Sequence, residues 1–251
     1  MYIDTHCHIT HDDYDDIDKL ISDIKDSGIS KIIVNGCDMK SNLEVLDLVN
    51  KYDIVYGAIG FHPTELDNYK DEDIEWLCNN INNDKIVAIG EIGLDYHYDN
   101  TDKEKQLKVF RKQLEVAKKY NKPVIVHARD AIQDTYDLLK EYKLTGSLHC
   151  FSGSLEMARE FTKLGYYLGI GGVCTYKNAK NIVNVIENID LAYILLETDS
   201  PYLTPEPYRK EKNSSCFIPI IAKKIAEIKN VSLSKVVEIT GKNASRMFFN
   251  E

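Results

Sequence analysis

The chain has 251 residues, 43% of them hydrophobic and 28% charged, with a formal net charge of −9. A protein that grips long duplex nucleic acid through its backbone ordinarily needs a basic surface, so this balance argues against a sequence-reading DNA binder. It leaves room for an enzyme that handles one or two nucleotides at a strand end.

The composition is ordinary for a globular protein, and the length suits one α/β barrel domain expected to span residues 1–251. No apolar run approaches the ~18 residues of a membrane span. The first ten residues, MYIDTHCHIT, lack the basic and apolar regions of a signal peptide, so a cytoplasmic location without a membrane partner is expected. No obligate protein partner is readable. Cys7, Cys37, Cys78, Cys150, Cys174 and Cys216 form no C-x-x-C pair and read as reduced, mostly buried thiols.

A short apolar run followed by a helical stretch recurs about every 30 residues. In chain order the runs are Tyr2–His8, Lys31–Gly36, Ile54–Gly60, Ile86–Ile92, Val124–His127, Ser147–Cys150, Tyr166–Gly171 and Tyr193–Glu197. They are rich in Ile, Val, Leu and Tyr and nearly continuous in apolarity, the pattern of parallel strands covered on both faces. Between them, Ser41-Asn-Leu-Glu44 and Thr101-Asp-Lys-Glu104 read as capping boxes that open helices. Leu107, Phe110, Leu114 and Ala117 then recur at helical spacing. Eight such units predict a (β/α)₈ TIM barrel rather than an open doubly wound sheet. Gly169-Ile-Gly171-Gly172 has no dinucleotide-binding register.

The chemistry-bearing residues fall where runs end, which in such barrels is the functional face. His6 and His8 close the first run. Alternate strand residues share a face, so both imidazoles should enter the barrel mouth while Cys7 points toward the helices. Glu91 closes the fourth run, His127 the fifth, His149 the sixth and Asp199 the eighth. Four imidazoles and two carboxylates at one rim are a ligand set for Zn, Mn, Mg or Co. Six ligands exceed the need of one tetrahedral ion, so two divalent metal ions are expected, with Glu91 bridging. His6, His8 and Asp199 would complete one site, and His127 and His149 would help hold the other.

His62, in Gly-Phe-His-Pro after the third run, is expected to contact a phosphate or donate a proton. His11 and His97 read as solvated or locally capped loop residues. Arg129 could bind a phosphate oxygen or pair within its loop, beside Asp130. Arg209-Lys-Glu-Lys212 is the basic cluster nearest the mouth, so Arg209 and Lys212 are candidate substrate contacts.

Together, Ile-Asp-Thr-His-Cys-His, Gly-Phe-His-Pro, Gly-Glu-Ile-Gly-Leu-Asp-Tyr, Lys-Pro-Val-Ile-Val-His-Ala-Arg-Asp, His-Cys-Phe-Ser-Gly and Glu-Thr-Asp-Ser-Pro-Tyr-Leu resemble the TatD family of metal-dependent hydrolases and deoxyribonucleases. The resemblance runs nearly end to end. It implies a metallohydrolase barrel, divalent-metal-dependent DNase activity, often exonucleolytic from the 3′ end, and the same six ligands. One element departs: where the family commonly has Asn-x-Pro, this chain has Asn213-Ser-Ser-Cys, in a loop expected to touch substrate.

The expected mechanism has Asp199 as general base, Glu91 as bridging catalytic carboxylate and His62 as stabiliser of phosphate charge. A hydrolase of small phosphoesters, lactones or amides on the same barrel is the alternative, and a non-enzymatic metal-binding scaffold is the reading from another class.

Overall fold

The computed structural model describes residues 1–249. Its elements alternate: β1 (Tyr2–Cys7), α1 (Ile17–Asp26), β2 (Ile29–Asn35), α2 (Met39–Lys51), β3 (Val55–Ile59), α3 (Asp73–Asn80), β4 (Ile86–Asp95), α4 (Lys103–Tyr120), β5 (Val124–Arg129), α5 (Ile132–Tyr142), β6 (Gly146–Leu148), α6 (Leu155–Lys163), β7 (Tyr167–Ile170), α7 (Lys180–Asn188), β8 (Ile194–Leu196), α8 (Ile218–Lys229) and α9 (Leu233–Ala244).

The eight strands form one parallel sheet in sequential order β1 to β8. The sheet curls into a nearly closed barrel. Its seam is joined by Thr5 Oγ1 donating to Leu196 O (3.1 Å) and by Thr198 N and Asp199 N donating to His6 O (3.3 and 2.9 Å). The expected TIM barrel is therefore observed. Some strands stop earlier than the apolar runs: β6 ends at Leu148 and β8 at Leu196, so His149 and Asp199 stand on the loops that follow.

The inward faces are apolar below and polar above. Ile33 and Ile125 join Ile3, Tyr167 and Leu195 in a plug closed from beneath by Ala244 and Phe248. Two residues further along the same strand faces, Asn35 and His127 line the mouth. A larger core, including Cys7, Ile21, Val45, Phe110, Leu138 and Ile225, packs the barrel wall against the helices. Cys7 thus faces outward as expected, and its Sγ–H donates to Ile33 O. All six cysteines are free thiols.

Both helix starts differ from the expected capping boxes. The N-cap of α2 is Asp38, whose side chain accepts from Ser41 N (2.8 Å) and whose N–H donates in return to Ser41 Oγ (3.0 Å). The N-cap of α4 is Asp102, which accepts from Lys105 N (2.9 Å). In each case an aspartate close by, itself a strong N-cap, takes the position that the hydroxyl residue would fill.

Three buried amides on helices fix the rim. Asn42 of α2 brackets Gly60, accepting from its N–H (3.0 Å) and donating to its carbonyl (2.7 Å). Gln113 of α4 does the same at Phe61 (2.7 and 3.0 Å). Gln106, two turns earlier on the same face of α4, accepts from Asp95 N (2.9 Å) and donates to the carbonyls of Asp95 and Pro63. The loop bearing His62 and the end of β4 are thus held by backbone bonds that water would otherwise make. No helix among the described residues is long and apolar enough to cross a membrane.

Candidate active site

A cavity of about 570 Å³ opens at the C-terminal ends of the strands. On its floor the carboxylate of Glu91, only 2% exposed, is the hub. Glu91 lies where β4 carries an extra residue against β5: Ile89 pairs with Val124, but Ile92 pairs with Val126. Such a slip re-aims a side chain locally.

Each Glu91 oxygen faces its own set of nitrogens. Oε2 lies 3.3 Å from His6 Nε2 and 3.4 Å from His8 Nε2. Those two nitrogens are 3.1 Å apart, and Asp199 Oδ1 lies 3.6 and 3.5 Å from them. Oε1 lies 2.9 Å from His127 Nδ1, 3.2 Å from His149 Nε2 and 3.3 Å from His62 Nε2. All six expected ligands therefore converge, and His62 joins them. His6, His8 and Glu91, or His62, Glu91 and His127, or His6, His149 and Asp199, could each hold an ion.

The outer hydrogen bonds set which imidazole nitrogen is free. His8 Nδ1 sits 3.0 Å from Asn35 O, an acceptor, so Nδ1 carries the proton and Nε2 turns a lone pair inward. His127 Nε2 sits 3.0 Å from Asp95 Oδ2, so its Nδ1 lone pair points at Glu91. His149 Nδ1 faces Glu197 Oε1 at 3.5 Å. His62 is the reverse case. Its Nδ1 accepts from Thr64 N (3.2 Å), which leaves the Nε2 proton aimed into the cavity. His62 thus turns a donor, not a lone pair, toward Glu91 Oε1.

Lone pairs of buried acceptors 2.9–3.6 Å apart repel unless protons or cations lie between them. This donor set fits divalent ions, with imidazole orientation fixed by outer carboxylates and carbonyls as in metal centres generally. Without a cation, protons serve instead. Burial disfavours the His149 cation, yet Glu91 and Asp199 push its titration well up. Burial acts the same way on His127, where Asp95 and Glu91 push it up, and on His8, where Cys37, Asp199 and Glu91 do so. Burial alone would raise the Glu91 carboxyl, but His149, His62 and His6 hold it well below the usual range. Burial lowers His62, which favours its neutral form.

The remaining candidates are placed differently. Arg129, at the end of β5, lines the cavity with its guanidinium 5.7 Å from the centre of the Tyr98 ring. Asp130 turns away and pairs with His97 Nδ1 (2.9 Å). His11 binds Glu44 Oε2 through its backbone N–H (2.9 Å) and stays exposed. Arg209 and Lys212 do not line the cavity. Arg209 packs over Tyr176 (3.7 Å to the ring centre), and Lys212 Nζ donates to Asp13 O. Their loop is folded back by Asn213, fully buried, whose Nδ2 donates to the carbonyls of Thr198 (2.8 Å) and Tyr202 (2.5 Å). Asn213 braces the Asp199 loop from behind, where a substrate contact was expected.

Sequence reasoning missed the outer residues Asp95 and Glu197, and Asp4, which accepts from His6 N (3.2 Å) and Thr198 N (3.0 Å). The available signal was parity: Asp95 lies four residues from Glu91, Glu197 two from Asp199 and Asp4 two from His6. Lys40 was also missed. It lines the cavity and pairs with Asp12.

The TatD related DNase sequence pattern matches residues 3–249. The chain belongs to the TatD family. The uncharacterized metal-dependent hydrolase YabD of Bacillus subtilis strain 168 is 40% identical over 252 residues, covering 99% of both chains. The uncharacterized metal-dependent hydrolase YcfH of Escherichia coli K12 is 34% identical, covering 98% of this chain and 95% of its own. The crystal structure of the TatD homologue YJJV from E. coli K12 superposes with a TM-score of 0.94 at 33% identity, covering 98% of this chain and 97% of that one. This TatD-family chain is accordingly a metal-dependent hydrolase.

Proposed function

We propose that the chain is a two-cation deoxyribonuclease that removes nucleotides from the 3′ end of DNA strands. The observation that carries the reading is the division of Glu91: each oxygen faces a separate group of inward lone pairs. Zn, Mn, Mg or Co ions fit such donors, with His6, His8 and Asp199 at one site, His127 and His149 at the other, and Glu91 between them.

When bound, such ions supply Lewis acidity, making water nucleophilic near neutral pH and neutralising phosphate charge. The protein groups do the positioning. Asp199, fixed by its N–H to His6 O, orients the attacking water and takes its proton. His62 Nε2–H donates to a phosphate oxygen, and Arg129 reaches another from the rim. The family's DNase character supports DNA as the polymer.

The test is digestion of end-labelled single-stranded DNA with and without EDTA, resolved by product length. Single-nucleotide shortening that EDTA abolishes and Mn restores is expected. Asp199→Asn should keep the fold and lower turnover by about 10²–10⁴-fold. A near wild-type rate would remove Asp199 from the role of base.

One observation favours a second reading, a hydrolase of small phosphoesters, lactones or amides. Asp12, Asp13, Asp38, Glu44, Glu65, Glu91, Asp95 and Asp199 line the cavity against the cations Lys40 and Arg129. Comparing p-nitrophenyl phosphodiesters and amides with DNA separates the two.

A further inference from the structure

An acidic cavity in a chain of net charge −9 gains little from the backbone of a polyanion. Resting on the nuclease reading, this raises the question of what else holds a DNA strand here. Large apolar side chains are scarce on this surface, yet two of the most exposed are tyrosines at the cavity mouth: Tyr98 is 53% exposed and Tyr202 60%.

They stand on opposite sides. Tyr98 follows β4 and Tyr202 follows β8, and in a ring ordered β1 to β8 those strands are diametrically opposed. Tyr202 has its ring centre 6.3 Å from that of His8, close above one group of nitrogens. Tyr98 has the Arg129 guanidinium 5.7 Å from its ring centre, next to the other side of the floor.

We propose that Tyr98 and Tyr202 form a two-sided clamp that stacks on unpaired nucleobases flanking the scissile phosphate. Every base offers a π-face, so such a clamp tolerates any sequence. Duplex bases are already stacked on their neighbours and cannot offer their faces to the rings. The Glu91 carboxylate that the site is built around is buried at the floor, deeper than a paired end reaches without opening. The clamp therefore selects single-stranded or frayed ends and replaces the stacking lost on opening. Arg129, beside Tyr98, adds a cation for the phosphate that the stacked base carries.

The test uses the Mn-loaded enzyme on a single-stranded oligonucleotide and on the same strand with abasic terminal nucleotides. Tyr98→Ala and Tyr202→Ala should each raise KM on the normal strand by about 5- to 150-fold, the range for removing one base–aromatic stack. Tyr98→Phe and Tyr202→Phe should stay near wild type. The abasic strand should bind the wild type as weakly as the normal strand binds the Ala variants, and the substitutions should not weaken it further. On a phosphorothioate strand with terminal 2-aminopurine, wild-type binding should quench the fluorescence and the double Ala variant should not. Wild-type KM in the Ala variants, or equal losses on normal and abasic strands, overturns the clamp. If the wild type cleaves no DNA at all, the nuclease reading falls first and the clamp with it; cleavage without discrimination removes the clamp alone.

Discussion

His127 shows how one side chain is made ready by another. Its Nε2 is occupied by Asp95, whose other oxygen accepts from His97 N (2.9 Å), so the carboxylate cannot swing away. Replacing Asp95 with Asn should loosen the ring and its tautomer, lowering cation affinity by about 10- to 100-fold with little change in the circular-dichroism spectrum. Titration with Mn followed by calorimetry reads this directly. The same measurement has a predicted pH dependence. His8, His127 and His149 are pushed above the ordinary His range in the absence of a cation, so they hold their protons to higher pH than a free imidazole, and cation binding must expel them. Affinity should therefore strengthen as pH rises, by up to about tenfold per unit for each proton released, and fade in acid. Affinity that is flat between about pH 6 and 8 would mean that these imidazoles are already neutral.

At the scale of elements, strands supply direction and helices supply grip. Gln113 lies on the buried face of α4, fully inaccessible, and satisfies both backbone groups of Phe61 beside His62. Gln113→Ala would orphan a buried N–H and C=O, each costing about 1–3 kcal/mol. For a chain of this size that lowers Tm by about 4–24 °C, checked by calorimetry. The strands themselves were legible, because parallel β-structure covered on both faces writes long apolar runs, and so was the meeting of His6, His8, Glu91, His127, His149 and Asp199, because they stand at or just past the ends of such runs. Gln113, Gln106 and Asn42 were not. A polar residue within an amphipathic helix looks the same whether it faces water or the rim of a barrel, and only the packing decides. Asn213 and Arg209 were misplaced for a related reason: sequence shows that a loop is polar, not whether it folds over the mouth or back against the wall. Gly169 was read only as part of a cluster that lacks a dinucleotide-binding register. A Cβ there would stand 2.0 Å from Glu197 Oε2, so the glycine leaves space for the carboxylate facing His149.

For the whole molecule, charge distribution makes a prediction that runs against habit. Enzymes that hold DNA through basic grooves lose affinity by about 10³–10⁵-fold between 50 and 200 mM salt. Here carboxylates outnumber cations in the cavity, and the net charge is −9. Raising NaCl over that interval should leave kcat/KM on single-stranded DNA within about tenfold of its starting value, because screening removes repulsion as well as attraction. A steep loss would mean that a basic surface elsewhere carries the strand.

The seam between β1 and β8 has a temporal consequence. His6 receives hydrogen bonds from Thr198 and Asp199, and Asp4 grips Thr198 across 194 positions of sequence. His6 and His8 are translated at the outset and Asp199 only late in the chain. A growing polypeptide on the ribosome therefore carries His6 and His8 without Asp199 opposite them, and hydrolytic competence cannot arise before the ring shuts. Premature termination before β8 should therefore yield an inert fragment rather than a weak hydrolase.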